Sequence, residues 1–161
     1  MSITLTPFGG LAQIGGNSMF VEEGETSFLI DYGILFPYND SFDINYLIPN
    51  INQITKKPDV LIVTHGHEDH IGAIPHLLEK FPGLHIVAPP FAAKLIQSKC
   101  DFFHRHLKYT LSAEIDTGVK VGSLELHYIK VNHSIPDTYG ILICDEAADA
   151  CSFFISDFKI D

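Results

Sequence analysis

Positive charge is scarce in this sequence: 10 lysines and arginines stand against 20 aspartates and glutamates, a formal net charge of −10 over 161 residues. Such a field repels a polyphosphate, which counts against free-standing nucleic-acid binding unless metals or another domain supply positive charge. Two bound divalent cations would offset less than half of it, a local correction only. Cysteine is sparse too. Cys100, Cys144 and Cys151 are odd in number, widely spaced and outside any C-x-x-C pair, so neither a disulfide framework nor a cysteine zinc site is expected, and the thiols are read as reduced and packed. Long hydrophobic runs are missing. The opening MSITLTPFGG has no basic stretch followed by an apolar one, so neither a signal peptide nor a membrane span is read, and the cytoplasm is the expected compartment. Repeats, low-complexity tracts and linkers are likewise wanting, which leaves one domain over residues 1–161.

What is present is core-forming: 46% of the residues are hydrophobic, too many for a disordered chain. Residues 3–8, 17–22 and 26–31 read as strands separated by the turn-rich GGLAQIGG and EEGE, an antiparallel beginning. A short helix is expected near 43–54. DVLIV (59–63) is a continuous apolar run of strand length, as in a strand covered on both faces. Ile71, Ile74, Leu77, Leu78 and Phe81 then recur at the spacing of one helical face, predicting a helix over 71–81. LHIVA, FAAKLIQSKC, VKVGSLELHYIKV, YGILIC and CSFFIS continue as strand, helix and at least three more strands, so the class is mixed α/β.

Between the buried strand and that helix lies THGHEDHIGAIPHLLEK (64–80), with three histidines and two carboxylates in its first seven residues. His65 and His67, at i and i+2 in a turn, can present imidazole nitrogens to one ion, and Asp69 and His70 can serve a second about 3.5–4 Å away. Gly66 and Gly72 permit tight backbone approach around both positions. The competing reading is a solvated turn, which has no use for paired histidines. Taken singly, His76, His85, His104, His106 and His127 read as ordinary hydrogen-bonded histidines rather than ligands. His133, in NHS at a strand end, reads equally as a turn or capping residue, and Asp157, after CSFFIS, as a surface turn carboxylate.

HGHEDH after a buried strand resembles the signature of the metallo-β-lactamase fold hydrolases. FGGLAQIGGNSMFVEE, FLIDYGILFP, YLIPN, THGHEDHIGAIPHLL, VNHSIPDTYGI and SDFKID follow in the order of the ribonuclease J-like members of the β-CASP branch, covering nearly all of the chain. The resemblance implies an α/β metallo-β-lactamase fold (αβ/βα sandwich), of which this chain is the N-terminal portion with the β-CASP domain absent. It implies two zinc ions, one held by His65, His67 and His133 and the other by Asp69, His70 and Asp157, with Asp157 bridging. A carboxylate-rich second position also admits manganese. Asp31 is implied to support the metal-binding loop without ligating. Asp69 and His133 are the implied catalytic residues, with Ser134 a supporting residue where substrate oxygens are met. The implied activity is metal-dependent hydrolysis of RNA phosphodiester bonds through activated water.

The sequence departs from the family pattern at Ser156, where glycine is usual, and in DEAADAC, which alters the turn before the last strand. A further histidine of the second metal site and the residues that grip RNA are expected outside this chain, so weak or no activity is expected of it alone. Its late strands should keep an unpaired edge, favouring self-association or pairing with the remaining half of the fold. Two other readings stand beside this one: a small-substrate hydrolase of thioesterase or lactonase type, and a non-catalytic metal-binding module.

Overall fold

The computed structural model describes residues 3–37, 43–103, 107–145 and 147–160. Three layers stack: helices, a six-stranded sheet and a four-stranded sheet. The first sheet runs in the order β1 (Thr4–Gly9), β2 (Ser18–Glu23), β3 (Thr26–Ile30), β4 (Val60–Ile62), β5 (Leu84–Val87) and β6 (Tyr109–Ser112). Its first three strands are antiparallel and its last four pair in parallel. The second sheet is antiparallel, in the order β10 (Ala150–Phe154), β9 (Tyr139–Asp145), β8 (Leu124–Lys130) and β7 (Val119–Val121).

Alternation along the strands feeds two cores. Leu29, Leu61, Val63, Leu84 and Ile86 face the helices, packing on Ile71, Ile74, Leu77, Leu78 and Ile96. Phe28, Ile30, Val60, Ile62 and Val87 face the second sheet and meet Leu124, Leu126, Ile141 and Ile143. Apolar residues on both sides explain why DVLIV shows no alternation. The outer face of the second sheet carries exposed Ile129 and Phe153, with no helix over it among the described residues.

The helix expected over 71–81 is two helices, α1 (Glu68–Ile71) and α2 (Ile74–Lys80). Continuation would need the Asp69 and His70 carbonyls, but these accept instead from the backbone N–H groups of Asn17 and Tyr32. Pro75, at the start of α2, has no N–H for the Ile71 carbonyl. The break therefore follows from the docking of two distant segments on the first turn. Over 43–54 the structure has one 3-10 turn, Ile51–Gln53, opened by the Asn50 side chain accepting from the Asn52 N–H. The strand β6 was not foreseen; YTLS is short and only partly buried, and it joins the sheet by pairing with β5. FAAKLIQSKC lies within α3 (Pro90–Phe102), whose Ala92, Ala93, Ile96 and Cys100 are buried.

The thiol expectation is corrected. Cys100 is free and buried, but Cys144 and Cys151 form a disulfide. The β9–β10 register sets the two directly opposite each other, and such a register is invisible in their spacing alone. Among the described residues, no helix is long and apolar enough to cross a membrane.

Candidate metal centre

Four loops and one chain segment converge at the ends of β2, β3, β4, β8 and β10. β4 delivers Thr64, His65 and His67; α1 presents Asp69 and His70; the loop after β8 brings His133; the segment after β10 brings Asp157. The loop after β8 is stitched in place from both sides. Tyr139 N–H donates to the Thr64 carbonyl and Lys159 N–H to the Asn132 carbonyl.

The ligand-type atoms form two groups that share Asp157, namely His65, His67, His133 and Asp157, and Asp69, His70 and Asp157, each within 4.8 Å of one another. His67 Nδ1 lies 3.1 Å from His65 Nε2 and 3.2 Å from His133 Nε2. Asp157 Oδ2 stands 3.6 Å from both His133 Nε2 and His70 Nε2, placing it between the groups. Asp69 Oδ2 is also 3.6 Å from His70 Nε2.

The far side of each buried imidazole is tied down. Asp31, itself buried, accepts from Thr64 N–H at 2.8 Å and from the Thr64 hydroxyl at 2.7 Å, and its Oδ2 accepts from His70 Nδ1 at 2.8 Å. The Thr64 oxygen then takes the proton of His65 Nδ1 at 3.0 Å. Nδ1 of both rings thereby carries a proton, and both Nε2 atoms turn inward. Burial, aided by neighbouring His70, holds His65 down at about 3, so its imidazole is neutral. Burial and His133 lower His67 as well. At His70 burial also works against charge, but Asp31, Asp157 and Asp69 outweigh it and carry the ring to about 10. The Asn17 amide nitrogen, 3.0 Å from the same Nε2, has no lone pair to take that proton and opposes it. Asp157 falls to about 2, chiefly through its hydrogen bond with His70.

His65, anchored and neutral, and His70, anchored at Nδ1 and able to yield its Nε2 proton to a cation, stand beside His67, His133 and two carboxylates, a donor set that fits divalent cations. Every residue singled out as a ligand from the sequence lies in this cluster. Ser134 is exposed beside His133. Glu68, the other acid of HGHEDH, turns away and pairs with Lys99 of α3 at 2.8 Å. His76 bonds Tyr46 outside the cluster, His85 and His127 lie on β5 and β8, and His104 and His106 lie outside the described residues.

Sequence reasoning overlooked Asn17, Thr64 and Gly33. Thr64 could have been found as a hydroxyl closing a fully apolar strand, a polar group that must find a buried partner. A Cβ on Gly33 would fall 1.6 Å from the Asp69 carbonyl oxygen, so the DYG segment touches the metal loop backbone to backbone.

The fold and the paired His/Asp groups place the chain in a known class, and the chain belongs to the Metallo-beta-lactamase superfamily, whose profile matches residues 12–127. Within it, the chain is 36% identical to "Ribonuclease J" of Helicobacter pylori over 99% of its own length and 24% of that protein's. It is 33% identical to "Ribonuclease J" of Mycolicibacterium smegmatis, over 99% of this chain and 28% of that one. The chain thus spans about a quarter of the length of these curated relatives. The solved structure of a diphosphatase from the PhnP family superposes with a TM-score of 0.65 at 17% identity, over 88% of this chain and 62% of that one, a likeness of fold.

Proposed function

We propose that the chain is the metal-site portion of a ribonuclease J-type enzyme that hydrolyses RNA phosphodiester bonds at a dinuclear zinc centre, with manganese an alternative at the second position. The observation that carries this reading is the pair of donor groups sharing Asp157. His65, His67, His133 and Asp157 would hold one ion, and Asp69, His70 and Asp157 would hold the other. When bound, the ions supply Lewis acidity to water and to a phosphate oxygen. Asp69 offers a carboxylate oxygen to orient that water and accept its proton. His133 and the exposed Ser134, on the loop after β8, would meet substrate oxygens. The net charge of −10 supports assigning the grip on a polyanion to the remaining length of such enzymes.

A small activated phosphodiester, bis(p-nitrophenyl) phosphate, needs no extended RNA surface and tests the chemistry directly. Zinc-dependent turnover that vanishes in His67→Ala supports the proposal. Turnover of a thioester or lactone in its place would overturn it in favour of a small-substrate hydrolase. Two bound ions with no hydrolysis of any of these, even with the remaining part of such an enzyme added in trans, would make the chain a non-catalytic metal module.

A further inference from the structure

Asn17 lies 52 residues from Asp69 in sequence, yet its side chain reaches into the second donor group. Its Nδ2 stands 3.1 Å from the Asp69 carbonyl oxygen, 3.1 Å from Asp69 Oδ2 and 3.0 Å from His70 Nε2. Its backbone N–H donates to the same Asp69 carbonyl at 3.0 Å, and Gly33 N–H donates to the Asn17 carbonyl. The residue is therefore fixed to the metal loop by main chain as well as side chain.

Which end of the carboxamide faces Asp69 follows from the two Asp69 oxygens, which can only accept and so take the N–H end. Gly10, at φ 82°, passes so close to Asn17 Oδ1 that a Cβ there would come within 2.4 Å of it. The glycine leaves room for the carboxamide, whose oxygen lies on that side. A carboxamide has two protons to give, and here three atoms compete for them. An ion that takes the His70 Nε2 lone pair leaves one proton for each Asp69 oxygen, so the contact is fully matched only when the second position is filled.

We infer that Asn17 is a positioning residue for the second cation: by bridging the carbonyl and the carboxylate of Asp69 it fixes that side chain in the orientation a cation beside His70 requires. This rests on the dinuclear reading above. It separates the two positions chemically, since His65, His67 and His133 have no such tether to the β1–β2 loop.

The test is a zinc titration of the metal-stripped 161-residue chain against a chromophoric chelator, for the parent, Asn17→Ala and Asn17→Asp, with thermal melts alongside. The parent should take two equivalents. Asn17→Ala should hold the first equivalent as the parent does and the second about 10- to 100-fold more weakly, the usual effect of losing a partner behind a ligand. Asn17→Asp, of the same shape but with no proton to give Asp69, should not restore it. An unchanged second equivalent in Asn17→Ala, or a parallel loss of both, would overturn the inference while leaving the dinuclear reading intact. A second equivalent as tight in Asn17→Asp as in the parent would overturn it too, by making residue 17 a ligand. A parent that binds fewer than two ions would overturn both. The first equivalent reports a folded site in every variant, so loss of fold is read separately.

Discussion

Replacing Asp31 by asparagine should weaken one cation position and spare the other. The side chain is buried, with φ 59°, a left-handed conformation that asparagine tolerates as well as aspartate. In the variant, the amide oxygen keeps the Thr64 N–H, and the Thr64 hydroxyl reverses role to accept from the new N–H. The His70 Nδ1 proton has no such escape, because the atom 2.8 Å away becomes a donor. His70 must shift its proton to Nε2, the atom that faces the second group. Restoring the ligating tautomer then forfeits a hydrogen bond to a charged acceptor and buries two opposed donors. That costs about 3 kcal/mol, roughly a hundredfold in affinity. Zinc titration by chelator competition should show the second equivalent weakened by that factor and the first little changed, since His65 is still held through Thr64. Nitrogen NMR of the His70 ring should report the exchanged tautomer. Parent-like binding of both ions, or equal loss of both, would refute the role given to Asp31.

His67→Ala should reduce the metal content measured by elemental mass spectrometry from two ions to one without lowering the melting temperature appreciably, because the residue is part-exposed and outside both cores. In Gly33→Ala the new methyl would collide with the backbone of Asp69 and His70, so urea denaturation should show a loss of about 3 kcal/mol; unchanged stability would contradict the close approach. Reducing the Cys144–Cys151 bond, or Cys151→Ser, should cost about 2–3 kcal/mol from the short loop it closes, read as a lower melting temperature with dithiothreitol. Sedimentation should detect self-association of the isolated chain, since β10 ends its sheet with no strand on its outer edge among the described residues.

Most of the strand segments and the first members of the His/Asp cluster were legible because their signals are local. A five-residue apolar run and an i, i+2 histidine pair each declare themselves within a few positions, whereas His133 and Asp157 were reached only through the family resemblance. What escaped depends on contacts between segments far apart in the chain. The broken helix at Gly72 arises from Asn17 and Tyr32 capturing carbonyls that the 71–81 periodicity assigns to the helix itself. The disulfide depends on hairpin register, and YTLS becomes a strand only because β5 offers it an edge. Thr64 was passed over for a different reason: in THGHEDH the histidines attract attention and the hydroxyl that aligns one of them does not.

The diversion of the Asp69 and His70 carbonyls also has a kinetic side. The amides of Asn17, Tyr32, Ile34 and Ala73 all close bonds between the β1–β2 loop, the segment after β3 and the first turn of α1. None of these bonds forms within a single element, so none can open alone without loosening the others. In deuterium exchange the four amides should therefore lose protection together, as one cooperative unit distinct from the strands that carry it. Filling the cation positions should slow that common opening, which gives a way to watch the metal loop assemble through its backbone with no substrate present.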